Sequence, residues 1–257
     1  MSAIFCEIKD QIAFVTLSNP GKLNAIDVAM WGALREQFNL LSQNVEIRCV
    51  MIRGADGHFA AGADIEEFAA VRNNVKDGMF YHSDTVALAL QAISECRHPV
   101  VAAIEGICVG GGLEIACACD IRIAAHDARF GIPINRLGFP LAPEELRGLL
   151  ELAGKAVVLE ILLEGRVFGA LEAKDKGLLH RLSDDVPNEA LATALRIAQG
   201  APMAARINRQ LVKRLTASSA PLSEEESRTI FAFLETNDYR EGVASFLDKR
   251  TPQFTGK

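Results

Sequence analysis

Between Glu105 and Ala125 the chain reads EGICVGGGLEIACACDIRIAA, three consecutive glycines followed by an apolar run with one acid in it, Glu114. Glycine weakens the interior of a helix or a strand, and a carboxylate among apolar side chains is costly unless something uses or pairs it. The triplet therefore marks a place where a strand ends and a helix begins. The first turn of a helix has N–H groups without intrahelical partners, and its dipole favours negative charge there. Glycines at Gly110, Gly111 and Gly112 let a ligand oxygen reach that backbone, which suits an oxyanion hole. A phosphate cradle is disfavoured, because G-x-x-x-x-G-K-[ST] is absent and the G-x-G-x-x-G spacing fails. Close helix–sheet packing explains the same glycines equally well. Glu114 sits where an apolar setting raises a carboxyl pKa towards proton transfer. The competing reading pairs it with Arg122 in a buried ion pair.

An oxyanion hole needs a second donor. The stretch HFAAGADI follows a strand pattern, and the small residues Ala60 to Ala63 leave its backbone open. The rest of the chain excludes other function classes. The net charge of -6 argues against a nucleic-acid or anionic-membrane partner. No run of about 18 apolar residues spans a bilayer, and MSAIFCEIKD has no leader pattern, so a cytoplasmic protein is expected. Cysteines 6, 49, 96, 108, 117 and 119 have no zinc spacing and read as buried thiols in a reducing compartment. No nucleophile elbow G-x-S-x-G is present. His58 stands beside the HFAAGADI segment but reads as a surface residue. His82, His98, His126 and His180 have no Cys or carboxylate at ligand spacing and read as structural, so no metal site is expected.

IFCEI and IAFVTL flank a Lys9-Asp10-Gln11 turn and predict a hairpin. NPGKLNAI is turn chemistry, and Asp27 caps the helical pattern VAMWGALREQFNLLSQ. EIRCVMIRG predicts a strand. Residues 64–97 predict helix with a break near Asp77-Gly78, followed by a strand PVVAAIEG, the glycine turn, a short helix and a strand IRIAA. Strands alternating with helices to about residue 135 predict an α/β core. Beyond it the pattern is helical over 143–164, 169–177, 188–200, 202–216, 223–236 and 238–249, with Pro143, Asn188, Pro202 and Ser223 as starts. The division expected is a core over 1–195 and a helical region over 196–257. The apolar stripes of that region, Phe231, Phe233, Val243 and Phe246 among them, fit a satellite or an oligomer interface.

HFAAGADIEEF, PVVAAIEGICVGGGLEIACACDIRIAAHDARFGIP, LEGRVFGALEAKDKGLLHRL and EGVASFLDKR, in this order, resemble the enoyl-CoA hydratase/isomerase (crotonase) family, essentially end to end. The resemblance implies a crotonase-like (ClpP/crotonase) spiral of ββα units with a helical C-terminal region, assembled as a homotrimer or dimer of trimers. It implies an acyl-CoA thioester as substrate, with no cofactor beyond the CoA that the substrate carries. The backbone N–H groups of Ala63 and Gly111 match the oxyanion hole. Ala61, Ala63, Asp64, Ile65, Glu66, Gly110 and Gly111 match the segments that hold the thioester and CoA. Lys249, Arg250 and Lys257 lie near the terminus, where basic residues meet CoA phosphates in some relatives; a solvated tail explains them equally well. Glu114 matches the first of two catalytic glutamates in the hydratases.

The second glutamate belongs in FGxPE, and here the residues are Phe130-Gly131-Ile132-Pro133-Ile134. Ile134 cannot move a proton. Ala142 stands where some relatives carry another acidic base. Hydration of a 2-enoyl-CoA to a 3-hydroxyacyl-CoA is the leading expectation, with Asn135 as a helper and Glu144 or Glu145 as substitutes from the next helix. A one-carboxylate isomerase or decarboxylase, or a non-catalytic acyl-CoA binding protein, are the alternatives that Ile134 leaves open.

Overall fold

A computed structural model describes residues 1–256. β1 (Ala3–Lys9) and β2 (Ile12–Ser18) form the expected hairpin. Its two-residue turn places Asp10 and Gln11 at φ 49° and 66°, the left-handed conformation that matches the twist of paired strands. The carboxylate of Asp27 accepts the Met30 N–H and opens α1 (Val28–Gln43). Met30, Trp31, Leu34, Phe38 and Leu41 recur at helical spacing and are the residues of α1 that are buried.

After β3 (Cys49–Gly54) the polypeptide winds between two sheets. β4 (Val100–Ile104) and β6 (Ile121–Ala125) join the large sheet, while β5 (Ile107–Val109) and β7 (Arg129–Gly131), each directly following one of them, form the small one. β8 (Phe168–Gly169) and β9 (Arg181–Ser183) complete the small and large sheets in turn. The large sheet runs β1-β2-β3-β4-β6-β9 and is parallel except for the hairpin. Its central strands are buried on both faces. Val50, Ile52, Val100 and Ala102 point into the main core, whereas Cys49, Met51, Val101 and Ala103 point into a second core. That is why VVAAI reads as a continuous apolar run rather than an alternating one.

Residues 64–97 depart from the expected pattern. A 3₁₀ turn (Ile65–Glu67) leads into α2 (Phe68–Val71), and the break falls at Arg72–Asn74 rather than at Asp77-Gly78. Asn74 caps α3 (Val75–Phe80) by accepting the Asp77 N–H, so Asp77 and Gly78 lie inside a helix. α3 passes through a π-helical turn (Tyr81–Val86) into α4 (Ala87–Ser94). α5 (Gly111–Ala118) is the short helix of the glycine triplet, and α6 (Pro143–Glu164) is the long one, interrupted at Gly154.

Strands β5, β7, β8 and β9 were not expected, because two or three residues are too few for a periodicity to show. α7 (Ala170–Asp175) follows β8. α8 (Val186–Gln199) starts at the cap Asp185, which accepts the Asn188 N–H, so Asn188 is in the first turn rather than before it. Val186, Ala190, Ala194 and Ala198 of α8 fill the second core, and the expected boundary at residue 195 falls inside this helix.

α9 (Pro202–Ala217) is tied to the core by Arg209, whose Nε donates to both Asp120 carboxylate oxygens at 2.7 Å. α10 (Glu224–Phe231) begins with a full capping box at Ser223 and Glu226, and α11 (Asn237–Leu247) follows a 3₁₀ turn. The tail folds back over the core, with the Phe254 carbonyl accepting from Arg48. All six cysteines are free; five are buried as expected, whereas Cys6 on the edge strand β1 is half-buried.

Candidate active site

The turn chemistry of NPGKLNAI fixes the first loop of the site. Asn24 is 2% exposed, and its side chain donates to the carbonyls of Ala55 and His58 while accepting the Asn19 N–H. The Ala61 N–H binds the Leu23 carbonyl. One residue further on, Ile26 donates to the Gly62 carbonyl and accepts from the Asp64 N–H, at 2.7 and 2.9 Å. These bonds flank Ala63, so its own N–H points the other way, towards α5.

The second loop comes from the glycine triplet. Gly110 adopts φ 50° and ψ −126°, a conformation that residues with a side chain avoid, and it turns β5 into α5. Its N–H is held by the Gly131 carbonyl. Gly112 lies against the Ala60 carbonyl so closely that a Cβ would collide with it. A Cβ built on Gly111 would lie 3.5 Å from the Ala63 nitrogen. The two loops thus bring Ala63 and Gly111 side by side. Neither of these N–H groups has an acceptor among the described residues.

Both line a cleft of about 100 Å³, together with Trp31, Ala61, Ile65 and Gly110. Glu114 enters it from the first turn of α5, 7% exposed. Its carboxyl makes no ion pair with Arg122, whose guanidinium is occupied by the carbonyls of Leu178, Ala116, Cys119 and Asp120. Burial, and after it the charge of Glu145, hold the Glu114 carboxyl well above the usual carboxylate range.

Glu145 is therefore the acid that joins Glu114. It lies in the first turn of α6, is buried, and lines the cleft. Its Oε1 is 2.6 Å from His82 Nδ1. Glu144 points to solvent and pairs with Arg147. Pro143 in the first turn starts α6 at the register that turns Glu145 inward and Glu144 outward.

His82 corrects the structural role expected of it. The π turn at Tyr81–Val86 carries Tyr81, His82 and Val86 into the cleft wall. No sequence spacing links His82 to Glu145, since they meet only across the fold. The other histidines do serve the framework. His58 Nδ1 accepts the Ile107 N–H, His180 Nδ1 accepts the Arg122 N–H, and buried His98 contacts the Leu41 carbonyl. Exposed His126 stands 3.7 Å from Asp184.

Several expected site residues lie elsewhere. Ile134 does line the cleft, but Asn135 turns away and donates to the Leu163 carbonyl. Asp64 and Glu66 both take Lys22 as partner, 2.7 Å each, and brace the 3₁₀ turn instead of lining the cleft. Ala142 is the residue before α6 and does not reach the cleft. Arg250 is taken by Glu241, and Lys257 lies outside the described residues.

The chain is similar to known proteins along almost its whole length. The family model described as enoyl-CoA hydratase/isomerase matches residues 7–257. A probable enoyl-CoA hydratase of Mycobacterium bovis is 35% identical, with 98% of this chain and 97% of that protein covered. The crystal structure of an enoyl-CoA hydratase/carnithine racemase from Magnetospirillum magneticum superposes with a TM-score of 0.96 at 44% identity, covering 100% of this chain and 97% of that one. Another, a putative enoyl-CoA hydratase/isomerase family protein from Hyphomonas neptunium, gives 0.94 at 33% identity over 99% and 98%.

Proposed function

The chain belongs to the enoyl-CoA hydratase/isomerase family and has its crotonase fold, and from that premise we propose that it hydrates a 2-enoyl-CoA with Glu114 and Glu145 as the acid/base pair. The observation that carries this reading is the presence of two buried carboxyl groups in the cleft that also holds the Ala63 and Gly111 amides. Ile134 removed the family's second glutamate from one element, and Glu145 offers a carboxyl from another.

In this mechanism the thioester oxygen accepts hydrogen bonds from Ala63 and Gly111. Preorganised amides of this kind stabilise a developing oxyanion by a few kcal/mol, about 10²–10³ in rate per donor. Glu145, held by His82, takes a proton from water as its oxygen bonds to Cβ. The π electrons of the double bond move towards the thioester, giving an enolate on the two amides. Glu114, whose burial favours the protonated form, donates its proton to Cα. A proton passing from Glu145 to Glu114 restores both groups. The scheme uses amides and carboxyl groups alone, and CoA enters as part of the substrate.

The assembly we propose is a homotrimer or dimer of trimers. Phe246 and Leu247 of α11 are 83% and 72% exposed, beside a groove of about 550 Å³ walled by Met203, Phe233, Tyr239 and Val243, an apolar surface suited to a second copy. No helix among the described residues is long and apolar enough to cross a membrane, and the site of action we propose is the cytoplasm.

Reaction in ¹⁸O-labelled water separates the reactions open to such a cleft. Hydration places the label on Cβ of a 3-hydroxyacyl-CoA. Migration of the double bond without label in the product, or tight acyl-CoA binding without any turnover, contradicts it.

A further inference from the structure

Arg72 stands at the break between α2 and α3, in the wall of the same cleft. Its guanidinium carbon lies 4.4 Å from the Phe68 ring centroid and 4.0 Å from that of Phe139, in the notch where these two rings meet edge to face. Aromatic contact covers the faces of a guanidinium and leaves its five N–H donors, which lie in its plane, to find acceptors. Here they find none among the described residues. The side chain of Arg72 makes no hydrogen bond and no ion pair, and Nη1 is buried without a partner. Glu114 and Glu145 line the same cleft, yet neither is within ion-pair distance of it; Glu145 is turned to His82. A buried charged donor without an acceptor is costly, and the site is complete once a ligand supplies one.

We propose that the acyl group taken by this cleft carries a carboxylate remote from the thioester, and that Arg72 receives it. The inference rests on the reading of the cleft as a 2-enoyl-CoA site. A carboxylate matches the planar fork of a guanidinium with two parallel hydrogen bonds. The phosphates of CoA are a poorer match. They hang at the far end of the pantetheine arm, whereas Arg72 shares with the Ala63 and Gly111 amides a cleft of only about 100 Å³. Phe68 and Phe139 pack on the methylene segment between the two ends. The substrate class is thus a 2-enoyl-CoA with a terminal carboxylate, and Arg72 is its specificity residue.

The test compares two six-carbon substrates, 2-hexenoyl-CoA and the same chain ending in a carboxylate, with the whole enzyme and its Arg72→Gln and Arg72→Lys variants. The unsubstituted enzyme is expected to favour the carboxylate substrate in kcat/KM by about tenfold or more, as a site built for a polar group rejects an analogue lacking it. Arg72→Gln abolishes that preference, losing about tenfold or more in kcat/KM on the carboxylate substrate relative to its effect on 2-hexenoyl-CoA, and Arg72→Lys, a point charge without the fork, falls between. Equilibrium binding of the saturated analogues, hexanoyl-CoA and hexanedioyl-CoA, reads the same preference without turnover. An Arg72-dependent preference for hexanedioyl-CoA in an enzyme that hydrates nothing supports the carboxylate site and overturns the hydratase reading alone. Equal binding of the two analogues, or equal losses on both in Arg72→Gln, overturns the role of Arg72 whatever the turnover.

Discussion

Glu114 on α5 and Glu145 on α6 share one buried cleft, where the charge of Glu145 helps to hold the Glu114 carboxyl above its ordinary range. The two side chains come from elements on either side of Ile134, the position at which the resemblance to the family leads one to expect a second acid. Exchange of a functional group between elements is possible because only the position of the carboxyl matters to the proton, not the backbone that presents it.

In the proposed mechanism this arrangement sets the alkaline limb of the pH profile. Glu114 must be protonated to donate, so kcat falls as pH rises through its raised pKa. Burial is the larger cause of that elevation and the charge of Glu145 the smaller. In Glu145→Gln the smaller cause is gone, so the residual activity loses its alkaline limb at lower pH than the unsubstituted enzyme. Rate–pH profiles of the two proteins check the direction. An unmoved limb separates the two carboxyl groups.

The same elevation predicts a stability gain from removing the acid. A carboxyl whose folded pKa lies above its unfolded value gives stability that is complete below the unfolded value, in the ordinary carboxylate range, and lost as pH rises through the folded one. Glu114→Gln cannot ionise and avoids this loss. At neutral pH it should melt higher, by roughly 2–4 °C for each kcal/mol regained in a chain of this size. At pH 4 its melting temperature should match that of the parent. Thermal denaturation at both values tests the difference.

Gly112 is fixed by the Ala60 carbonyl, and Gly111 by the Trp31 ring. Gly112→Ala must push back a backbone and is expected to cost about 1–3 kcal/mol of stability, as overpacking does. In Gly111→Ala the new Cβ meets Trp31 ring carbons at 3.0 and 3.3 Å, so the turn carrying the Gly111 N–H, the proposed oxyanion donor, must shift. This variant should stay folded and lose about 10²-fold or more in kcat. Denaturant melts together with steady-state kinetics distinguish the two outcomes.

A glutamate restored at position 134 should not improve the enzyme. The position is 9% exposed and already faces a cleft with two acids. A third carboxyl there adds desolvation and like-charge repulsion, so Ile134→Glu should lower both kcat and the melting temperature. In the Glu145→Gln background the same change supplies a missing base and should recover part of the lost rate. Kinetics of the two single variants and the double variant close the cycle.

The sequence was most legible where short-range chemistry decides the structure. The hairpin at Asp10-Gln11, the Asp27 cap and the glycine turn were all fixed by their neighbours in the chain. Both faces of the glycine turn were legible too, since small residues at Ala60–Ala63 and Gly110–Gly112 can serve close backbone approach. The strands of the small sheet were hidden, because runs such as Ile107–Val109 are too short to show a period. His82 was missed for a related reason. It is brought to Glu145 by a π turn and a crossing of helices, and no spacing along the chain encodes that distance. Asn135 misled because a polar residue next to Ile134 looks available, whereas the backbone of its 3₁₀ turn directs it to Leu163.

The most direct test of the paired-carboxyl mechanism is the turnover of a 2-enoyl-CoA by Glu145→Gln, with the affinity for a saturated acyl-CoA measured in parallel. General acid–base groups contribute about 10²–10⁴ in rate, and a loss of that size with affinity kept within about threefold is the result the mechanism predicts. Turnover equal to that of the unsubstituted enzyme would contradict it, and would leave Glu114 to work alone.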